Sequence, residues 1–293
     1  MLSMVTLVRN RNALLRSFLA GVAAQDAPVE VVVVRAGGDE DPREVVAELD
    51  GLRATVCEVD APDERIPYSE ARNAGAAAAS GDHLAFCDAD TIASPTFAGA
   101  IDAALARHDA LCTGEVRYLP PGDVSGLDFP TLLRRSRPHP HRETVPDHGV
   151  VLSDRHELVW GLCMAMRHST FESVGGFDEG YGGYAGEDTD LGRALAEAGV
   201  PVAIVADAVV LHQHHDSYEP PVQQLRATVA NAQRYRDKWG AWPMAGWLQG
   251  FADLGLVEWS PDASTCTVRR DPSPDELAAC RRRVALPFEE VPA

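Results

Sequence analysis

Three groups of side chains in this 293-residue chain have the residue types and spacing for chemistry. Asp88-Ala89-Asp90 follows the apolar run at 83–87. Carboxylates at i and i+2 of an extended chain point to the same side, so Asp88 and Asp90 could both offer oxygens to one hard divalent cation. A D-x-D alone is more often a solvated turn. Its place at the carboxyl end of a strand is what favours ligation. Gly186-Glu187-Asp188-Thr189-Asp190 opens a helix after a stretch containing Gly180, Tyr181, Gly182, Gly183 and Tyr184. The helix macrodipole accounts for one or two acids in a first turn; three, beside glycines that admit close backbone approach, suggest the floor of a site. The dipole favours ionised carboxylates there while burial beside a second carboxylate opposes them, and the sequence leaves that balance open. His212-Gln213-His214-His215 ends a β-like run and could add an imidazole. Oxygen plus imidazole ligation suits Mn²⁺ or another first-row divalent ion, with Mg²⁺ as the second choice.

These groups need elements to hold them. The first 110 residues alternate strand and helix patterns: an apolar run at 4–8, a helical pattern through Leu14, Leu15, Phe18, Leu19 and Val22, and a β-branched run at 29–34 that reads as a doubly buried strand. A helix is predicted at about 43–49, a short strand at 54–59, and a helix at 70–79 with Ser69 as its N-cap and Gly81 as its stop. Alternation of this kind implies right-handed crossovers and a mainly parallel sheet, with ligands beyond the carboxyl ends of its strands. Residues 118–156, with a basic run at 134–142, read as a long loop; that run either closes over a phosphate or is a solvated loop. Residues 158–166 read as a strand, 169–174 as a short helix, 202–205 and 208–211 as two short strands, and the tail from 217 as helical to Trp247.

Composition narrows the class of function. Lys and Arg number 26 against 44 Asp and Glu, a net charge of −18, which disfavours nucleic-acid binding. An anionic ligand would need a metal, a helix N-terminus or a few placed arginines. No run of 18 apolar residues predicts a transmembrane helix, and the apolar stretch before Arg9 and Arg11 is short for a secretory leader. Six scattered cysteines without a CxxC pair fit a reducing cytoplasm. The tail tryptophans at 239, 242, 247 and 259 pack on the core or a partner subunit, or mark a peripheral contact with the inner membrane face.

The pieces in this order resemble the inverting glycosyltransferases of family 2 with the GT-A fold. The segments that carry the likeness are MVTLVRNRNALLRSFLAGVAAQ, VEVVVVRAGGDED, ARNAGAAAASGDHLAFCDADTI, GGFDEGYGGYAGEDTDLGRALAEAGV and AVVLHQHH, spanning residues 4 to 216. The second half most resembles galactosyl- and N-acetylgalactosaminyltransferase-like enzymes. The resemblance implies a Rossmann-like nucleotide-sugar half (1–110), a mixed-sheet acceptor and catalytic half (111–216) and a mostly helical extension (217–293). It implies base contacts from Val8, Arg9 and the loop after the second strand, and places Arg72 and Asn73 near base and diphosphate. Asp88, Ala89 and Asp90 become the D-x-D, with Asp88, Asp90 and His212 as metal ligands and Mn²⁺ or Mg²⁺ as the ion. Asp188 becomes the general base and Glu187 a contact to acceptor or donor sugar, with Trp160, Gly161 and Tyr184 on the acceptor side.

Two departures stand out. Arg35-Ala36-Gly37-Gly38 replaces a DDGS-like turn, so either Asp39 substitutes or base recognition differs. Gly161-Leu162-Cys163 replaces a Gly-Gly-Asn. The donor implied is a nucleoside diphosphate sugar, UDP-linked before GDP-linked, and the acceptor a glycan, a lipid-linked sugar or a small molecule; a homo-oligomer stays open. A retaining GT-A enzyme and a weakly catalytic sugar-nucleotide-binding protein are the rival readings. A nucleotidyltransferase lacks its GxGxR-type loop here, and a zinc hydrolase on His212, His214 and His215 lacks HExxH spacing.

Overall fold

The apolar runs near the N-terminus form strands buried on both faces, as continuous hydrophobic runs do in parallel sheets. These are β1 (Leu2–Val8) and β2 (Val29–Arg35). With β3 (Ala54–Glu58) and β4 (His83–Cys87) they pair in parallel in the order β3-β2-β1-β4. The computed structural model describes residues 1–61, 65–139, 142, 144–284 and 288. Helices α1 (Asn12–Ala23), α2 (Pro42–Val46) and α3 (Tyr68–Ala78) make the crossovers. Strand order reverses between β1 and β4, the switch point where such sheets open a crevice. Helix α3 lies so close to the sheet that a Cβ on Gly75 would come within 2.3 Å of Val5 Cγ1.

The second half adds β5 (Thr91–Ala93), α4 (Phe97–Arg107), β6 (Leu111–Tyr118), α5 (Phe129–Arg135), β7 (Arg137–Pro138), β8 (Val150–Ser153), β9 (Cys163–Arg167), α6 (His168–Ser173), α7 (Glu187–Glu197) and β10 (Val202–His212). Strand β9 runs antiparallel to both β4 and β6, and β10 parallel to β6, extending the path to β4-β9-β6-β10-β5. One core packs α1 and α4 on the sheet through Phe18, Leu19, Phe97 and Ile101; the other packs α3, α6 and α7 through Ala71, Phe171, Leu191 and Leu195. The mixed α/β architecture with a parallel first half is the one expected. The tail builds a third core from α8 (Leu225–Trp239), α9 (Ala245–Asp253) and the segment after them, joined by Leu277 and Cys280 of α10 (Pro274–Cys280).

Four local expectations are corrected. Helix α3 starts at Tyr68 after Pro67, so Ser69 lies inside it, fully buried, and makes no cap bond. The apolar run at 158–166 begins at the end of a 3₁₀ turn (His156–Leu158) and turns at Gly161 and Leu162 before β9, because an apolar run alone does not distinguish strand from turn. Residues 202–212 form one strand whose register on β6 slips between Val205 and Val209. At that slip Ala208 O comes so near Gly114 that a Cβ there would lie 1.6 Å away. Residues 118–156, read as a loop, contain α5, β7 and β8.

Candidate active site at the carboxyl ends of the strands

Asp90 and His212 are far apart in sequence and meet because β5 follows the D-x-D turn and pairs antiparallel with the end of β10, Thr91 opposite His212. Gln213 N donates to Asp90 O at 2.7 Å and fixes the next step of the chain. Asp90 Oδ1 then lies 3.6 Å from His212 Nε2, and Oδ2 lies 3.2 Å from His215 Nε2. Ligating atoms of Asp90, His212 and His215 all fall within 4.8 Å of one another. Burial would raise the Asp90 carboxyl, but His212, His215 and Arg11 hold it well below the carboxylate range. Burial pushes His212 down to about 4, so its imidazole is neutral at pH 7, whereas the bond to Asp90 raises His215. Asp90 Oδ1 is buried and accepts no hydrogen bond from the described residues. A carboxylate with an orphaned oxygen facing two imidazoles is a donor set that fits a first-row divalent cation.

His215 enters this cluster and Asp88 does not. Cys87 ends β4, so Asp88 and Asp90 sit in a turn rather than on an extended chain, and Asp88 Oδ1 faces Arg72 Nη2 at 3.3 Å. Arg72 is buried and also gives Glu187 a 2.6 Å bond. It thereby ties the D-x-D turn to the start of α7. Burial and the adjacent Asp188 push the Glu187 carboxyl up to about 7, against the pull of Arg72.

Helix α7 begins at Glu187 because Gly186 (φ 100°) turns the chain in the left-handed region ahead of it. Its three acids have different partners. Asp190 is buried and accepts from Tyr181 Oη at 2.9 Å, Trp239 Nε1 at 2.7 Å and Lys238 Nζ at 2.7 Å. Asp188 stays partly open; Gly161 N donates to its Oδ2 at 2.9 Å and Thr189 N to its Oδ1 at 2.7 Å. A Cβ on Gly161 would stand 2.6 Å from Arg72 Nη2, so this glycine lets the turn ahead of β9 approach Arg72 while its N–H reaches Asp188. Tyr184 stacks on Trp247 at 6.0 Å, and burial raises its hydroxyl pKa.

The remaining site residues from the sequence fall as follows. Val8 is buried and its carbonyl accepts from Ala36 N, while Arg9 Nη1 ends buried near Gly37 with no hydrogen-bond partner among the described residues. Asp39 is exposed, and its N–H is held by Asn10 Oδ1 at 2.7 Å. Asn73 uses both ends of its amide on the turn at Phe177 and Glu179; a donor contact would have to break that. Ala89 is buried between the two aspartates, and Trp160 bonds Glu157 O through its indole N–H. The basic run does not act as one unit: Arg134 and Arg135 sit on exposed faces of α5, and Pro140 and His141 lie outside the described residues. Among the described residues of the run, Arg142 stacks 4.3 Å over Trp160 and His139 packs edge-on against the same indole at 5.4 Å.

Sequence reasoning also missed Asn231 of α8, buried, whose Nδ2 reaches the carbonyls of Gly182, Tyr184 and Ala185 at 3.2, 3.2 and 2.7 Å. No motif marks it. Arg11, 3.1 Å from Asp90 Oδ2, was legible only as a charge in a loop.

Residues 3–231 match the family described as glycosyltransferase like family 2, and the chain belongs to that family. Over 250 residues it is 30% identical to the validoxylamine A glucosyltransferase of Streptomyces hygroscopicus subsp. limoneus, covering 77% of this chain and 54% of that protein. The chain thus spans about half the length of this relative. Among solved structures it is similar to S. aureus TarS in complex with UDP-GlcNAc (TM-score 0.57, 14% identity, 80% of this chain and 66% of that one). It is also similar to the mannosyltransferase PcManGT from Pyrobaculum calidifontis in complex with GDP-Man and Mn²⁺ (TM-score 0.52, 18% identity, 89% and 65%). At these identities the likeness concerns the fold, which is GT-A.

Proposed function

We propose that this chain transfers a sugar from a nucleoside diphosphate sugar to an acceptor hydroxyl with inversion at the anomeric carbon. UDP-sugars are the favoured donors and GDP-sugars the second choice. The observation that carries this reading is the meeting of Asp90, His212 and His215 at the end of β10 with a turn that Arg72 ties to the Glu187–Asp188 step of α7. Asp90, His212 and His215 would hold a divalent cation, Mn²⁺ before Mg²⁺, which when bound offsets charge on the diphosphate leaving group. Arg11 stands at the same carboxylate as a second positive group.

Asp188 is the base in this account. Its Oδ2 is aimed by Gly161 N–H, and it alone among the three acids of the turn has no cationic side chain bonded to it among the described residues. As the acceptor oxygen bonds to the anomeric carbon, its proton passes to the Asp188 carboxylate. The bond from that carbon to the diphosphate oxygen breaks, and the electron pair leaves with the diphosphate. Attack opposite the leaving group inverts the carbon.

The test is turnover of UDP-glucose and GDP-mannose with Mn²⁺, with EDTA, and with Mn²⁺ restored, followed by the anomeric configuration of the product. The expected result is loss in chelator, recovery with Mn²⁺, and a product of opposite configuration to the donor. Full turnover in chelator would remove the cation from the account, and a product that keeps the donor's configuration would remove the inversion.

A further inference from the structure

Ser273-Pro274-Asp275-Glu276 carries the signature of a helix start, and α10 uses it. Ser273 Oγ accepts from Glu276 N, and the Glu276 carboxylate accepts in return from Ser273 N. Arg270 grips the same carboxylate with two bonds of 2.7 Å. Leu277 and Cys280 seat this short helix in the third core. The chain therefore leaves α10 at a set place. Arg281–Arg282 then pairs antiparallel with Ser217–Tyr218, Tyr218 opposite Arg281. Glu219 N donates to Cys280 O at 2.9 Å and continues the pairing.

This clasp lies directly after the histidine cluster. His212 ends β10 and is held by strand pairing, with Thr91 and Tyr118 opposite it. His215 has no such frame. It sits in the irregular link 213–216, fixed on one side by Gln213, whose Nε2 donates to Leu14 O at 3.1 Å. Asp216 fixes the other side. Arg281 donates to Asp216 Oδ2 from Nε at 2.7 Å and also from Nη2, and Asp216 O lies 2.9 Å from His215 Nδ1. A carbonyl only accepts, so Nδ1 donates, and in the neutral ring the lone pair is left on Nε2. That Nε2 is the atom 3.2 Å from Asp90 Oδ2.

We propose that Arg281 is a positioning residue for the candidate cation site, aiming His215 Nε2 at the cation through Asp216. The proposal rests on the reading that Asp90, His212 and His215 hold a divalent ion, and it adds the tail to what builds that site. Charge and position act in opposite directions here. A guanidinium near the site repels a cation by Coulomb's law, so removing Arg281 would tighten binding if its charge were all that mattered. Loss of the group that orients a ligating imidazole weakens metal binding by about 10–100-fold. Arg281 acts one step further out, through the carboxylate and backbone of Asp216, so its removal has a smaller effect of the same sign.

The test is Mn²⁺ binding to the full chain, followed by the electron paramagnetic resonance signal of the free ion. Arg281 and Asp216 are both exposed, so substitutions there leave the core intact. Arg281→Gln should raise the Mn²⁺ Kd by about fivefold. Both Arg281 bonds go to one oxygen, so Arg281→Lys, which keeps a cationic donor for it, should recover most of the affinity. In a chain that already carries His215→Ala, Arg281→Gln should no longer weaken binding, because the residue through which it acts is gone. Unchanged or tighter Mn²⁺ binding by Arg281→Gln would overturn the assignment, as would an equal loss with and without His215. A parent chain that binds no Mn²⁺ would overturn the cation site itself, and this role of Arg281 with it.

Discussion

Glu187 keeps a proton to about pH 7 in the folded chain, whereas a carboxyl of ordinary pKa, 4.5, gives it up much sooner on unfolding. The folded state therefore binds more protons between those values, and stability falls as pH rises from 4.5 to 7. Glu187→Gln removes this slope, so the difference in urea midpoint between pH 5 and pH 7.5 should be smaller than in the parent. Asp190 has another task. Its three donors come from Tyr181, Lys238 and Trp239, so it joins α7 to the tail. Asp190→Ala leaves the buried Tyr181 hydroxyl and the Trp239 indole N–H without their acceptor, and unfolding in urea should show a loss of about 2–4 kcal/mol. Among the four histidine-cluster positions, only His212 and His215 face Asp90. The sequence named the cluster but not its second member, because that choice depends on how the chain turns after β10.

At the scale of elements, the site exists because short segments are held in register by long ones. Three-residue β5 brings Asp90 to His212 by pairing with β10, and Asn231 of α8 holds the turn from Gly182 to Ala185 through three carbonyls. Asn231→Ala leaves those carbonyls without their donor. It should cost about 1–3 kcal/mol and lower turnover more than nucleotide binding, checked by melting temperature, kcat and calorimetric titration on the same preparation. Gly186→Ala forces a side chain into φ 100° and should cost about 1–2 kcal/mol in urea unfolding. The parallel half of the sheet was legible from its β-branched runs, and α7 from its glycine and acids. The turn at Gly161 and Leu162 was not, because an apolar run that supplies a backbone donor to Asp188 looks the same as a strand. The brace from α8 was illegible too: a buried asparagine in a helix carries no pattern until its partners are known.

On the scale of the whole molecule, the D-x-D turn, the α7 start and the end of β10 lie in three different parts of the chain, and the tail locks the second of them. The net charge of −18 makes a local positive device necessary for an anionic donor. In the proposed function Asp90, His212 and His215 would hold a cation for that purpose, with Arg11 beside it. None of the described helices is long and apolar enough to cross a membrane. In the proposed function the candidate cation site and Asp188 do different work. Asp188→Asn separates the two in one experiment, in which donor binding with Mn²⁺ and the rate of sugar transfer are measured on the same protein. Donor affinity should remain within a few-fold of the parent while transfer falls by about 10²–10⁴. Transfer within a few-fold of the parent, or donor affinity that collapses together with it, would contradict the account.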